Sequence, residues 1–393
     1  MSVKINENYK NLKESYLFSE IAKRVKNYTE NNPDAKIIRL GIGDVTLPLS
    51  PAVISAMQKA VGEMGQKETF RGYAPEYGYD FLREAIARYY EKFGVKLSPD
   101  EIFVSDGAKS DCGNITDIFG DNPVLIPDPV YPVYLDSNVM SGRKVTFLSA
   151  NEENDFLPLP PSTEESYIVY LCSPNNPTGA VYGREKLKEW VDFAVKTGSV
   201  IIFDAAYEAF ISEDYPHSIY EIKDAKKCVI EICSLSKTAG FTGTRCAWSV
   251  FPKELEAGGV RLGKLWERRQ ATKFNGVPYI VQRGAEAALS EQGQKESAEM
   301  ISYYMGNAAV IAEVLTEKNI KFYGGKNSPY LWLKCPDGID SWAFFDKLLS
   351  EAQIVGTPGA GFGQQGEGYF RLTSFGSREA TVEAAERLRK FFK

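Results

Sequence analysis

The most reactive arrangement in this sequence is a lysine flanked by hydroxyls, Ser234-Leu235-Ser236-Lys237-Thr238-Ala239-Gly240, followed by Gly243-Thr244-Arg245. An apolar run, Lys227–Ile232, precedes it. That order places Lys237 just beyond a strand, at the carboxyl edge of a sheet, where α/β proteins form ligand sites. A lysine held there with a lowered pKa can condense with an aldehyde and then shuttle protons. Ser234, Ser236 and Arg245 carry the donors to hold a phosphate alongside. A solvated lysine in a turn would leave this combination unexplained.

Other reactive groups also follow apolar runs. Asp204 ends Val200–Phe203 and is followed by Tyr207. A carboxylate there serves as a helix cap, or it pairs with a protonated ring nitrogen and makes the ring an electron sink. Pro174-Asn175-Asn176-Pro177-Thr178-Gly179 is a turn by composition, and Asn176 is placed to donate to an oxygen on such a ring. Ser105-Asp106-Gly107-Ala108-Lys109 lies between a strand and a helix, where the N–H groups of Ala108 and Lys109 suit a phosphate. Tyr131, in Pro129-Val130-Tyr131-Pro132, offers a stacking face or is a buried turn aromatic. Arg371, in Tyr369-Phe370-Arg371-Leu372-Thr373, is either a bidentate fork for a carboxylate or half of a structural ion pair.

The elements that must carry these groups alternate along the chain. Ser50-Pro51 opens a helix running towards Gly65, with Ser as N-cap and Pro at the first helical position. A second helix spans Tyr79 to Phe93 and stops at Gly94, with Leu82, Ala85, Ile86, Tyr89 and Phe93 on one face. Short apolar runs follow at Glu101–Val104, Val124–Ile126, Lys144–Leu148, Tyr167–Cys172, Val200–Phe203, Lys227–Ile232 and Ala247–Phe251, with a helix at Arg184–Lys196 among them. Continuous apolar strands separated by helices predict a mostly parallel sheet covered on both faces. From Tyr279 the pattern becomes helical through Lys318, broken around Gly293. Strands at Ile320–Tyr323, Tyr330–Lys334 and Gly368–Ser374 and a final helix then suggest a smaller α+β domain. Gly361-x-Gly363-x-x-Gly366 matches a dinucleotide fingerprint by pattern, but a strand rather than a helix follows it. The expected division is an N-terminal segment 1–45, a large domain 46–279 and a small domain 280–393.

Composition narrows the chemistry. With 393 residues, 44% hydrophobic and 25% charged, the chain has ordinary globular composition and room for two domains. A net charge of −6 disfavours nucleic acid as a partner. The basic cluster Arg261, Lys264, Arg268, Arg269 and Lys273 around Trp266 reads as a solvated helix face. No stretch is apolar enough to span a bilayer, and the first residues lack the apolar core of a signal peptide, so a cytoplasmic location is expected. Six scattered cysteines without CxxC spacing read as buried thiols, with no metal site. The single histidine, His217, excludes two-histidine metal sites and is expected at the surface.

Taken in chain order, the lysine segment, the Asn-Asn-Pro-Thr-Gly segment, Asp204, Tyr131 and Arg371 resemble the class I/II aminotransferases among fold-type I enzymes, which depend on pyridoxal 5′-phosphate. The resemblance covers essentially the whole chain. It implies an α/β fold with a seven-stranded, mostly parallel sheet and a Schiff base at Lys237. It also implies that Asp204 pairs with the pyridine nitrogen, that Asn176 and Tyr207 contact the phenolic oxygen, and that Tyr131 stacks on the ring. Ser234, Arg245 and the Ala108-Lys109 amides would hold the phosphate, and Arg371 the substrate α-carboxylate. Cys246-Ala247 departs from the family pattern at a packing position, where glycine often stands second after the arginine.

Four segments, Glu14-Ser15-Tyr16-Leu17-Phe18, Gly41-Ile42-Gly43-Asp44-Val45-Thr46, Gly72-Tyr73-Ala74-Pro75-Glu76 and Lys273-Phe274-Asn275-Gly276, are similar to those of LL-diaminopimelate aminotransferases. That likeness implies transamination between LL-2,6-diaminopimelate and 2-oxoglutarate, a step towards lysine. It also implies a homodimer in which Tyr16, Tyr73, Glu76 and Asn275 reach into the partner's site. Substrate contacts would then be Tyr16, Gly43, Tyr73, Glu76, Lys109, Asn176, Asn275 and Arg371. A substrate with a second amino-acid head needs a negative group for its distal ammonium, which Glu76 supplies. Taken alone, Glu76 is an exposed loop carboxylate. The competing readings are an aminotransferase for aromatic, aspartate or alanine donors, or a lyase using the same cofactor.

Overall fold

The computed structural model describes residues 3–12 and 17–392. All seven apolar runs expected as strands between residues 101 and 251 join one sheet. After a two-residue strand β1 (Ile38–Arg39) come β2 (Ile102–Ser105), β3 (Val124–Asp128), β4 (Val145–Ser149), β5 (Ile168–Cys172), β6 (Val200–Asp204), β7 (Val229–Ser234) and β8 (Ala247–Val250). Their order is β2-β8-β7-β6-β5-β3-β4. Pairing is parallel except at β8, which runs antiparallel to both β2 and β7.

Apart from the edge strand β4, the strands lack polar alternation because both faces are covered. Val169, Leu171, Ile201 and Phe203 pack in one core with Leu187, Trp190 and Val191 of the helix Arg184–Thr197. Their alternating neighbours Ile168, Tyr170, Cys172, Val200 and Ile202 pack in another with Cys112, Tyr134 and Trp266. Those three come from the helices Ala108–Asn114, Pro132–Met140 and Leu262–Lys273. All six cysteines are buried and unbridged.

A hairpin of β9 (Glu256–Ala257) and β10 (Val260–Arg261) is followed by the strands of a second sheet. These are β11 (Phe322–Gly324), β12 (Tyr330–Lys334), β14 (Thr357–Pro358) and β15 (Tyr369–Thr373), antiparallel in the order β11-β12-β15-β14. The short β13 (Ile354–Val355) pairs with β1 in parallel. That pairing lays the segment after β1 along the second sheet, where the Thr373 N–H donates to the Leu40 carbonyl at 2.7 Å.

Two helix ends differ from the expected ones in detail. The helix Pro51–Met64 begins after Ser50, but the Ser50 side chain makes no cap bond. The Glu296 carboxylate accepts from the Ala52 N–H at 3.0 Å instead, so an anion from another helix satisfies this N-terminus. The break in the long helical stretch falls at Ser290, between Tyr279–Leu289 and Glu291–Glu317, three residues before the expected Gly293. Ser290 is extended there and its hydroxyl accepts from the Gly293 N–H at 3.1 Å, so Gly293 belongs to the first turn of the new helix.

Candidate active site

Parallel strands deliver their carboxyl ends to one edge, and the reactive groups collect there. Cys172 pairs in register with Asp204, and Asp204 with Ile232 on β7, so the segments after β5, β6 and β7 leave the sheet side by side. Ser234 closes β7 and caps the short helical turn Leu235–Thr238, its hydroxyl accepting from the Ser236 N–H at 3.1 Å. That turn presents Lys237, whose ammonium lies 5.9 Å from the centre of the Phe375 ring. Burial pushes the Lys237 pKa down to about 8; nearby Asp44 opposes this, while Arg245 and Arg371 add to it. An appreciable fraction is therefore the neutral, nucleophilic amine near neutral pH.

Asp204 is buried at the end of β6. Its Oδ2 accepts from the Tyr134 hydroxyl at 2.6 Å and from the Cys112 thiol at 3.7 Å, and its Oδ1 from the Ala206 N–H at 3.0 Å. Burial still raises its pKa against these donors. Tyr131 is the residue before the helix Pro132–Met140, and Tyr134 lies within its first turn. Their rings meet edge-on at 6.0 Å, so one stretch of chain carries both.

Arg371 sits mid-strand on β15, fully buried, opposite Trp332 and Thr357. Its Nη1 donates to Asn176 Oδ1 at 2.6 Å and its Nη2 to the Gly41 carbonyl at 2.6 Å, while its Nε has no partner. The contact with Arg371 fixes the Asn176 amide, because the carbonyl must face the guanidinium and the NH2 is left to donate elsewhere. Tyr207 shares a hydroxyl–hydroxyl contact of 2.5 Å with Tyr330 of β12.

Arg245 bonds to the Ser236 hydroxyl and the Thr242 carbonyl, each at 3.3 Å. A Cβ on Gly107, whose φ is +149°, would lie 2.0 Å from Arg245 Nη2. Glycine is therefore required there, and it brings the guanidinium against the start of the helix that opens with Ala108 and Lys109.

Among the described residues neither half-buried Arg245 nor buried Arg371 has a carboxylate partner, and for Arg371 this departs from the rule that buried charges are paired. Two unneutralised guanidinium groups thus flank a lysine of lowered pKa and a buried carboxylate. That donor set fits one ligand with a phosphate, an aldehyde and a basic ring nitrogen, together with a substrate carboxylate. Pyridoxal 5′-phosphate has the three cofactor features.

The other sequence-derived residues fall elsewhere or on the margin. Gly43 belongs to the centre, since a Cβ on it would come within 2.8 Å of the Tyr330 hydroxyl. Lys109 is exposed on the first turn of its helix. Tyr73, 89% exposed, stands in a loop with half-buried Glu76, and Asn275 is also exposed. Gly276 packs against this loop, its Cβ position only 2.6 Å from the Pro75 carbonyl, so the segments carrying Tyr73, Glu76 and Asn275 form one surface. Tyr16 lies outside the described residues.

His217 is half-buried rather than on the surface: its Nδ1 is 3.0 Å from Glu208, and its ring stacks on Phe93 at 4.8 Å. Salt bridges join Arg269 and Lys273 to Asp117, and Lys264 to Glu267; Lys264 and Lys273 are solvated as expected, whereas Arg269 is largely buried against Trp266. Sequence reasoning missed Tyr134 and Tyr330. Tyr134 carried a usable signal, three residues after Tyr131 on a helix opened by Pro132; Tyr330 carried none.

The family model described as aminotransferase class I and II matches residues 35–388. The chain is 57% identical over 402 residues to the LL-diaminopimelate aminotransferase of Lachnospira eligens, covering 98% of this chain and 99% of that protein. It is 55% identical to the enzyme of the same name from Agathobacter rectalis, with 98% and 99% covered. Among solved structures, the L,L-diaminopimelate aminotransferase from Chlamydomonas reinhardtii superimposes with a TM-score of 0.95 at 43% identity, covering both chains completely.

Proposed function

The chain belongs to the class I and II aminotransferase family, and from that premise we propose that it moves an amino group between LL-2,6-diaminopimelate and 2-oxoglutarate, giving tetrahydrodipicolinate and glutamate. The observation that carries this reading is the pair of acid-free arginines whose charges act on Lys237, joined to near-full-length identity with enzymes of that name. Pyridoxal 5′-phosphate, on which the family depends, supplies an electron sink for the substrate α-carbon and stores the amino group between the two half-reactions.

In this reading Lys237 would hold the cofactor through its aldehyde, and its amine, once free, would take and return the proton of the substrate α-carbon. Its lowered pKa suits both tasks. Asp204 would pair with the protonated pyridine nitrogen, and the Tyr134 hydroxyl opposes the rise in its pKa that burial causes. Asn176 and Tyr207 donate to the phenolic oxygen. Tyr131 covers one face of the ring. Ser234, Arg245 and the N–H groups of Ala108 and Lys109 hold the phosphate. Arg371 offers the fork to the α-carboxylate, and the Gly43 backbone closes that side.

The far end of diaminopimelate is itself an amino acid. We assign its ammonium to Glu76 and its carboxylate to Tyr16, Tyr73, Asn275 and Lys109. Tyr16, Tyr73, Glu76 and Asn275 come from the second subunit of a homodimer, and the setting is the cytoplasm. The exposure of Tyr73 supports this, since a large aromatic left in solvent is a natural surface for a second copy.

Steady-state rates with each amino donor test the assignment. LL-diaminopimelate should drive glutamate formation from 2-oxoglutarate, and Glu76→Gln should raise KM for diaminopimelate while leaving that for glutamate nearly unchanged. Equal effects on both substrates would contradict the role given to Glu76.

A further inference from the structure

Tyr330 belongs to none of the reactive segments, yet from β12 of the second sheet it touches three groups of the candidate site. Its hydroxyl oxygen is 2.5 Å from that of Tyr207, with the rings 5.1 Å apart and inclined at 71°. The Arg371 guanidinium carbon lies 4.6 Å from the centre of its ring. Gly43 abuts its hydroxyl, leaving no room for a side chain there. Phe375 and Tyr304 enclose the phenol in a buried aromatic cluster.

Only one proton can lie between two facing hydroxyls, so one must donate and the other accept. Burial keeps both phenols protonated. The direction of the bond follows from their surroundings. The Arg371 charge acts on both phenols, but its guanidinium lies over the Tyr330 ring, which makes Tyr330 the better-placed donor. Among the described residues each hydroxyl has the other as its one hydrogen-bond partner, so the direction rests on the Arg371 charge.

We propose that Tyr330 is a positioning residue for the transamination: by donating to the Tyr207 oxygen it leaves the Tyr207 proton to point at the phenolic oxygen of the cofactor. The inference rests on the proposed contact between Tyr207 and that oxygen. It also gives Gly43 a second reason to be glycine, because any side chain would displace the Tyr330 hydroxyl.

The test compares Tyr207→Phe, Tyr330→Phe and the double variant, each loaded with pyridoxal 5′-phosphate. The dissociation constant of the cofactor is measured for each, together with the pH midpoint of its bound chromophore. Tyr330→Phe should weaken cofactor binding by about fivefold, the worth of one net hydrogen bond. It should also move the midpoint in the same direction as Tyr207→Phe, but by less. Once Tyr207 is Phe, adding Tyr330→Phe should change neither quantity. Gly43→Ala should shift the midpoint as Tyr330→Phe does. An unmoved midpoint in Tyr330→Phe, or an equal shift with and without the Tyr207 hydroxyl, would overturn the inference while leaving the Tyr207 contact standing. An unmoved midpoint in Tyr207→Phe would remove that contact and the inference with it.

Discussion

Replacing Tyr134 with phenylalanine isolates one bond on which the cofactor's electronics are argued to depend. The Tyr134 hydroxyl donates to Asp204 Oδ2 at 2.6 Å, and both residues are buried. The ring itself should stay in place, because it stacks on Tyr170 at 5.1 Å with the planes 21° apart. Hydrogen bonds to a charged group contribute about 1.5–3 kcal/mol. Without this one, only the Ala206 N–H and the more distant Cys112 thiol still stabilise the ionised form, and burial pushes the Asp204 pKa further up. A carboxylate less willing to ionise pairs less well with the pyridine nitrogen. Cofactor affinity should fall by about 10- to 150-fold, the same free energy expressed as a ratio. Equilibrium titration of the cofactor-free protein with pyridoxal 5′-phosphate measures this, with thermal unfolding as the control for the fold. A dissociation constant within about twofold of the parent would refute the reasoning, since one net hydrogen bond exceeds that.

Arg371→Lys keeps the charge but loses the fork that reaches Asn176 and Gly41 together; KM should rise about 10- to 100-fold for amino and oxo acids alike, read from steady-state rates. With its pKa at about 8, the Lys237 amine is charged below that pH and neutral above it. The rate at which the cofactor-free protein captures pyridoxal 5′-phosphate should therefore climb with pH and level off above about 8, followed by absorbance; a midpoint near the ordinary lysine value would contradict the burial argument. Lys237→Ala should abolish turnover while cofactor binding persists in weakened form, measured by activity and titration on the same preparation.

The larger sheet was legible because its strands, apart from the edge strand β4, are buried on both faces, so most apolar runs stand out against polar surroundings. The carboxyl-edge rule then brought Lys237, Asp204 and Asn176 to one place, and the structure puts all three at the ends of neighbouring strands. What remained hidden depends on contacts between segments far apart in sequence. Tyr330 meets Tyr207 across 123 positions, and Arg371 meets Asn176 across 195. No local pattern encodes either pairing. His217 looked like a loop residue because Glu213-Asp214-Tyr215-Pro216 precedes it, but the partners that draw it inward, Glu208 and Phe93, are set by the fold. Ser290 took the helix break from Gly293 because a capping hydroxyl satisfies the new N-terminus, an advantage glycine lacks.

The most direct test of the central claim is a half-reaction screen on the protein loaded with pyridoxal 5′-phosphate. LL-diaminopimelate, glutamate, aspartate, alanine and phenylalanine are added one at a time, and conversion of the cofactor chromophore to the pyridoxamine form is followed by absorbance. Conversion by LL-diaminopimelate and glutamate, but not by the other three, is the predicted result. Conversion by aspartate or phenylalanine in their place would contradict the diaminopimelate assignment, and a protein that takes up no cofactor would contradict the role of Lys237 itself.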